Sequence, residues 1–215
     1  MNSRDLVLGR IRDAITLAPP TTGIPGVAVE TEIPRNYRTG RTLPDDERVE
    51  LFVDRLVDYK AYVHRCAATA IAETIADILA ANALKVVGIP AGLDRSWVAD
   101  FYDELVVDSS DVPAPELEKL DAVITGSAVS CAETGTIFLD AGPDQGRRAL
   151  TLVPDTHICV VFRESVEVGV PEAMAKLTPE RPTTMISGPS ATSDIELERV
   201  EGVHGPRNLH VVIVG

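Results

Sequence analysis

The sequence has few cysteines and few basic residues, and each shortage excludes a class of protein. Its three cysteines, Cys66, Cys131 and Cys159, are dispersed without a CxxC pair, which excludes a disulfide scaffold and suits a reducing cytoplasm. They also supply no iron–sulfur or zinc cassette. The 215 residues contain 20 Lys and Arg against 33 Asp and Glu, a net charge of −13 with no basic run, so a nucleic-acid partner is disfavoured.

Long hydrophobic runs are missing as well. The longest apolar stretches, such as Ile158–Phe162 and Leu209–Val214, have the length of strands and not of a membrane span. The N-terminal MNSRDLVLGRIRDAI carries an acidic residue early and has no apolar signal core. We therefore expect a cytoplasmic protein without a membrane span.

Several catalytic signatures are also absent. The chain has no GxGxxG after its first predicted strand, no GxxxxGK[ST] and no GxSxG. Dinucleotide binding, a P-loop and an esterase-type serine elbow therefore have no support. What is present is an apolar fraction of 45 %, over a length that suffices for one sizeable core.

The order of apolar patterns predicts an α/β fold: a mainly parallel sheet flanked by helices, with an antiparallel hairpin portion. The hairpin is predicted from strands at 136–140 and 149–153, which enclose the turn sequence GPDQG. Helices are predicted at 3–18, 45–59, 69–81, 94–105, 171–177 and 194–200, and further strands at 61–66, 85–89, 106–107, 122–125, 157–162, 185–187 and 209–214.

Proline separates an N-terminal part from the rest. Ala18–Glu47 contains five prolines, and because proline fixes φ and lacks an N–H, this stretch should be an extended arm. We predict an N-terminal helix with a Pro-rich arm over residues 1–45 and a domain over residues 46–215.

Glu133 is the first candidate for chemistry. It lies in Thr125–Thr136 (TGSAVSCAETGT), which follows a predicted strand and whose small polar residues favour an anionic or hydroxylated ligand. We assign Glu133 as a catalytic nucleophile or base, with Thr134, Gly135 and Thr136 as ligand-binding residues. The alternative is that Glu133 pins the loop by hydrogen bonds and that the threonines are ordinary strand residues.

A second segment, Ser187–Glu196 (SGPSATSDIE), joins a strand end to a predicted helix start, where free N–H groups favour an anion. Asp194 is assigned to the catalytic set, although it also offsets the helix dipole, and a well-capped turn is the alternative. The candidates for ligand binding are its hydroxyl and glycine positions, Ser187, Gly188, Ser190 and Thr192.

His204 is the third candidate. Two glycines flank it in GVHGP (Gly202–Pro206), and an accessible imidazole titrates near neutral pH, so we assign it as a catalytic acid or base. The other histidines are expected to be surface or core side chains. Since no short metal-ligand spacing joins His204 to Glu133, Asp194 or Cys131, we predict no metal site.

These segments together resemble the LUD domain family and, within it, the lactate-utilization protein C group of small stand-alone members. The resemblance rests on AETGT (Ala132–Thr136), the strand–hairpin–strand after it, SGPSATSDIE and GVHGP, in that order. It covers most of the chain and is densest over Asp121–Gly215. One position differs from the family motif. The motif commonly has Arg between the Ser and Thr of GPS-x-T, whereas this chain has Ala191.

The resemblance implies a fold similar to that of ribose-phosphate isomerases, sugar-phosphate deaminases and coenzyme A transferases (the NagB/RpiA/CoA transferase-like fold). It also implies a role in the oxidation of L-lactate to pyruvate, alongside two iron–sulfur partner proteins, at least one of which carries the clusters. We expect no intrinsic cofactor. A small anionic metabolite and a homo-oligomer are further partners compatible with the resemblance.

Two functions stay open. In the first, the chain is a subunit of an L-lactate utilization system. In the second, it is a stand-alone enzyme of the CoA-transferase or sugar-phosphate isomerase type that uses Glu133. We prefer the first, because kinship of fold does not carry chemistry with it.

Overall fold

The computed structural model describes residues 3–17, 36–193, 199–201 and 205–215. It divides the chain into two compact units, one ending at Tyr37 and the other beginning at Arg38. No helix in the described ranges is long and apolar enough to cross a bilayer.

The first unit contains helix α1, Ser3–Leu17, which agrees with the helix predicted at 3–18. Leu6, Val7 and Ile11 are exposed on it. Residues 18–35 of the predicted arm lie outside the described residues, and 36–44 form neither helix nor strand. The boundary placed at residue 45 stays a prediction.

The second unit is built around a sheet of six parallel strands, in the order β1-β12-β7-β4-β2-β3. The mainly parallel sheet of the sequence prediction is confirmed, and its long strands are nearly continuous apolar runs because both faces are covered. The strands are, in chain order, β1 Tyr62–Cys66, β2 Val86–Ile89, β3 Glu104–Val107, β4 Ala122–Thr125, β5 Val129–Cys131, β6 Thr136–Leu139, β7 Thr156–Phe162, β8 Val166–Glu167, β9 Thr184–Ile186, β10 Ala191–Ser193, β11 Arg199–Glu201 and β12 Asn208–Val214.

Two long helices cover the two faces of the six-stranded sheet. Helix α2 (Asp45–Asp58) buries Phe52 and Leu56 in a cluster that contains Cys159 of β7. Helix α3 (Ile71–Ala81) packs on the opposite face, in a cluster that contains Ile158. Because successive side chains of a strand point to opposite faces, β7 serves both clusters.

A second sheet, in the order β8-β5-β6-β9, lies on the α2 side of the core, since Ala132, Ile137 and Val166 belong to the α2 cluster. Strands β5 and β6 form its antiparallel hairpin, and residues 132–135 are the hairpin's turn. Two short helices complete the unit: α4 (Ala114–Leu117) and α5 (Val170–Ala175).

The hairpin predicted around GPDQG is wrong, because residues 141–155 form turns and 149–153 is not a strand. The Gln145 side chain accepts the backbone N–H of Asp140 at 2.6 Å, and the Arg147 guanidinium binds Asp108. The first contact turns the segment back towards the end of β6, and the second ties it to Asp108 after β3, so it does not pair with β6.

The helix predicted at 94–105 is also wrong. Asp94 accepts the backbone N–H of Ser96 and starts a single 3₁₀ turn, Arg95–Val98, from which Trp97 packs into the α3 cluster. The chain then pairs with β2 as the edge strand β3, in keeping with the strand expected at 106–107.

The helix predicted at 194–200 is wrong where the structure describes it. Ala191–Ser193 and Arg199–Glu201 are antiparallel strands of a two-stranded sheet, in which Thr192 pairs with Val200. Residues 194–198 and 202–204 lie outside the described residues, and with them the catalytic candidates Asp194 and His204.

Candidate functional site

The turn that carries Glu133 is tightly pinned by its backbone. The Glu133 N–H donates to the Val168 carbonyl at 3.0 Å, and the Ala132 N–H donates to the Glu167 carbonyl at 2.8 Å. Gly135 has φ +58, and a Cβ there would lie 2.7 Å from the Cβ of Arg55 on α2. Only glycine fits this position. The close packing of the turn on α2 therefore fixes the position of the Glu133 backbone.

Two arginines converge on the Glu133 carboxylate. Arg38 Nη2 donates to Glu133 Oε1 at 2.6 Å, and Arg41 Nη1 binds the same oxygen. Between them, the Gly40 N–H donates to Glu172 Oε1 of α5 at 2.5 Å. The Arg38–Arg41 segment is therefore anchored to two acidic residues more than ninety positions away in sequence.

Glu133→Gln should loosen the Arg38–Arg41 segment, because the amide keeps the shape but loses the ionic attraction. We expect trypsin to cut after Arg38 and Arg41 about fivefold faster than in the wild type. The loss of a partly exposed ion pair, about 1 kcal/mol, increases the fraction of molecules in which the segment is detached and open to cleavage. Mass spectrometry of early digests measures this rate. Glu164→Gln, at an exposed position in the 3₁₀ turn Arg163–Ser165, is the control. Equal rates in all three proteins would contradict the anchoring role.

A chain of hydroxyl groups joins two of the predicted segments. Thr134 Oγ1 lies 2.7 Å from Thr136 Oγ1, which lies 2.8 Å from Ser187 Oγ. The contact arises because β6 and β9 are neighbours and Ser187 follows β9 directly. The structure thus brings the ETGT turn and the SGPS segment together.

The third predicted segment meets the second. The Ser190 N–H donates to the Pro206 carbonyl at 2.7 Å, which joins the SGPS segment to the described end of GVHGP. Gly188 has φ +79 and packs on Tyr59 at the end of α2. The turn at Gly188 is therefore fixed in the same way as the turn at Gly135.

A cleft of about 270 Å³ opens beside these segments. Of the predicted residues, Ser187, Gly188 and Ser190 line it, whereas Glu133 and the two threonines do not. His157 and Leu209, at the starts of β7 and β12, form part of its wall. The cleft thus lies at the amino ends of the central strands, although the usual position in open α/β sheets is the carboxyl end.

The buried groups next to the cleft are uncharged. His157 Nε2 lies 2.8 Å from Thr125 Oγ1, and the Cys159 thiol donates to the Gly126 carbonyl at 3.6 Å. Burial lowers the pKa of His157 to about 4 and raises the pKa of Cys159 to about 12. These two residues therefore do not form a thiolate–imidazolium pair at neutral pH.

A second buried histidine lies on the same sheet. His210 of β12 stacks on Tyr62, with ring centroids 4.7 Å apart, and its Nδ1 lies 3.1 Å from His64 Nε2 of β1. Its Nε2 is buried and has no hydrogen-bond partner in the part of the chain that the structure describes. Burial, aided by repulsion from His64, lowers the pKa of His210 to about 4.

Stability should therefore decrease as pH falls below 6.5. The ordinary histidine pKa is 6.5 and the folded-state pKa of His157 and His210 is about 4, so in between the unfolded chain binds protons that the folded chain does not. The free energy of unfolding should drop by about 1 kcal/mol per histidine between pH 6.5 and about pH 5.5. Urea unfolding at these pH values measures the drop. His210→Asn should make the drop smaller by about 1 kcal/mol whatever its own stability, and an unchanged drop in that variant would contradict the assignment.

The described residues contain no group of three or more His, Cys, Asp or Glu placed to hold a metal ion. Cys131, considered as a ligand in the sequence, is buried and donates its thiol to the Val168 carbonyl at 3.7 Å. The arginines that bind Glu133 were missed from the sequence. The only available signal was two arginines flanking a glycine in a stretch without periodicity.

Comparison with known proteins identifies the family. A sequence model described as the LUD domain matches residues 49–214. The chain belongs to the LUD domain family. Lactate utilization protein C of Deinococcus radiodurans is 47 % identical over 183 residues, which cover 83 % of this chain and 85 % of that protein. Lactate utilization protein C of Bacillus subtilis is 28 % identical over 137 residues, 59 % of this chain and 57 % of that protein.

A solved structure supports the fold of this LUD-domain chain. The crystal structure of a DUF162 family protein from Deinococcus radiodurans, at 1.70 Å resolution, superposes with a TM-score of 0.69 and 39 % sequence identity. The superposition covers 81 % of this chain and all of the other. The mixed α/β class is confirmed, and the kinship with the NagB/RpiA/CoA transferase-like fold stays a prediction.

Proposed function

We propose that this LUD-domain chain takes part in L-lactate utilization, as a subunit that supports the oxidation of L-lactate to pyruvate. The observation that carries the proposal is the 47 % identity, over 83 % of the chain, to a protein named Lactate utilization protein C. The cleft and the hydroxyl chain next to it are the surfaces that serve the function.

The oxidation of L-lactate to pyruvate releases two electrons and two protons, so an electron acceptor is needed. Iron–sulfur clusters take four cysteine ligands as a rule, and this chain has three dispersed cysteines, two of them buried. We therefore assign the electron acceptors to partner proteins that carry the clusters, and we assign no redox cofactor to this chain.

Deletion of the gene in the source organism tests the pathway. The deletion strain should fail to grow on L-lactate as carbon source, should grow normally on pyruvate, and should recover on L-lactate when the wild-type gene is restored. Growth of the deletion strain on L-lactate at the wild-type rate would overturn the proposal.

Co-purification tests the partners. The tagged chain, purified from cells grown on L-lactate, should bring down proteins with iron–sulfur ligand motifs, and the eluate should contain iron and acid-labile sulfide. The same purification from cells grown on pyruvate is the control for nonspecific capture. An eluate without iron, in which no cluster protein is found, would contradict the partner assignment.

The alternative, a stand-alone enzyme that uses Glu133, depends on that carboxylate reaching a substrate. Its side chain is 23 % exposed and is paired with Arg38 and Arg41, so a nucleophilic role requires the arginines to leave. The wild type would then turn over a thioester or a sugar phosphate, and Glu133→Gln would abolish turnover without unfolding. Absence of turnover by the wild type across such a panel removes the alternative.

A further inference from the structure

Arg148 differs from almost every other arginine of the second unit because it has no carboxylate partner among the described residues. Among the described side chains of residues 38–215, Arg95 and Arg148 are the arginines without an ion pair. The paired ones are Arg38, Arg41, Arg48, Arg55, Arg65, Arg147, Arg163, Arg181 and Arg207. In a chain with 33 acidic residues against 20 basic ones, an arginine without an acidic partner is unexpected. Arg148 is also the one of the two that lines the cleft.

The wall of the cleft has the composition of a site for a small anion. Its described lining residues include Arg148 and no Asp or Glu. His157 in the same wall is neutral at pH 7, since burial lowers its pKa to about 4. The cleft thus carries one positive charge in a protein of net charge −13, and that charge has no internal counter-ion among the described residues.

Arg148 is held in place through its backbone, and its guanidinium contacts one hydroxyl group of the cleft, that of Thr184. The Arg148 carbonyl accepts the Thr151 hydroxyl at 3.2 Å, and the preceding Arg147 is fixed on Asp108. Its Nη1 lies 3.4 Å from Thr184 Oγ1, a weak contact that leaves most of the guanidinium donors available. A carboxylate is the planar acceptor that such a fork of N–H groups matches best.

The remaining wall suits a short carbon chain. Leu152, Ile186 and Leu209 supply apolar surface, and Ser187 supplies a hydroxyl that is already in the Thr134–Thr136 chain. The volume of about 270 Å³ lies just below the usual range for ligand pockets, roughly 300–1,000 Å³. This size favours a metabolite of few carbon atoms over a nucleotide or a coenzyme A thioester.

We propose that the cleft binds a small organic acid, with Arg148 pairing with its carboxylate and Ser187 contacting its polar substituent. The site and the carboxylate are inferred from Arg148 and the cleft alone. The choice of a 2-hydroxy or 2-oxo acid as the bound class rests on the proposed function.

Calorimetric titration of the purified full-length chain with L-lactate, pyruvate and L-lactamide tests the site. L-lactamide has the shape of L-lactate without its charge. One of the two acids should bind saturably at one site per chain, and L-lactamide should not. Arg148→Gln should weaken acid binding about tenfold or more, since a hydrogen-bonded charge pair is lost. The affinity of Arg148→Lys for the acid should lie between those of the wild type and Arg148→Gln, because an ammonium group keeps the charge but not the paired N–H donors of the guanidinium.

Arg95→Gln is the matched control, because it removes an arginine without an ion pair that is not among the cleft residues. It should leave binding unchanged. Thermal unfolding of each variant shows whether it is folded, and the comparison of acid with amide in the wild type needs no variant. The inference is overturned if neither acid binds, if L-lactamide binds as well as the acid that binds, or if Arg148→Gln binds that acid like the wild type.

The outcomes separate this inference from the proposed function. A deletion strain that cannot use L-lactate, combined with a purified chain that binds neither acid, would leave the pathway role standing and remove the cleft as its ligand site. Binding that depends on Arg148, combined with normal growth of the deletion strain, would leave the site standing and remove the pathway role.

Discussion

Gly188→Ala is expected to lower the free energy of unfolding by about 3 kcal/mol, the sum of left-handed backbone strain and a steric clash. Gly188 has φ +79, and an added Cβ would lie 2.6 Å from the Tyr59 Cβ and 2.9 Å from the Tyr59 carbonyl oxygen. Neither atom is the flexible end of a side chain, so the turn or the end of α2 has to shift. Since Ser187 and Ser190 flank this glycine, the cleft should be distorted as well.

Gly40→Ala is the matched control for the clash. Gly40 has φ +72, nearly the same backbone conformation, but no atom lies within 4 Å of a Cβ built there. It should therefore lose about 1 kcal/mol, from backbone strain alone. Urea unfolding of both variants measures the difference. Equal losses would mean that the contact with Tyr59 is not what requires glycine at position 188.

Arg147→Met is expected to cost about 3 kcal/mol, because it leaves the Asp108 carboxylate buried without its partner. The Asp108 side chain is 5 % exposed. Arg147 Nε donates to Asp108 Oδ2 at 2.9 Å, and its Nη2 donates to Oδ1 at 2.8 Å and to the Val112 carbonyl at 2.6 Å. Because this pair anchors the turn that carries Arg148, the variant should also weaken acid binding in the cleft.

Arg207→Met gives the comparison with an exposed pair. Arg207 binds Asp155 with a similar two-point geometry, but the two side chains are 58 % and 45 % exposed. Water can replace the lost partner there, so the loss should stay below about 1 kcal/mol. Thermal or urea unfolding separates the two cases, and a loss for Arg147→Met no larger than that for Arg207→Met would contradict the role of burial.

The parallel sheet could be predicted because its strands have a clear pattern in the sequence. Ala122–Thr125 matches β4 in full, and β7 and β12 extend their predicted strands by one residue each. Strands buried on both faces are continuous apolar runs bounded by polar residues. The helices α2 and α3 were predictable for the same reason, since their buried residues recur every three or four positions.

The strand and the helix that were predicted wrongly are segments whose buried apolar residues lie in turns. Leu150 is fully buried, yet it lies in a turn held by Arg147 and Gln145, and the short apolar run around it resembles a strand. Trp97 and Val98 are likewise buried from a single 3₁₀ turn. Periodicity over so few residues cannot distinguish a turn from a strand or the start of a helix.

The segments that form the candidate site could be predicted from the sequence, but the ion pairs within it could not. Small polar residues after strands pointed to the ETGT and SGPS segments, and the structure joins them through Thr136 and Ser187. The ion pairs of Glu133 with Arg38 and Arg41 span more than ninety residues from a stretch without a repeating pattern. Arg148 is distinguished because it has no ion pair among the described residues, and this property is visible only in three dimensions.

Oxidation of L-lactate in cell extracts tests the central claim most directly. Extracts of the deletion strain should reduce an artificial electron acceptor at background rate when L-lactate is added, and purified wild-type chain should restore the activity in proportion to the amount added. Purified chain on its own, without extract, should show no activity. An extract of the deletion strain that oxidises L-lactate at the wild-type rate would contradict a role of this protein in lactate utilization.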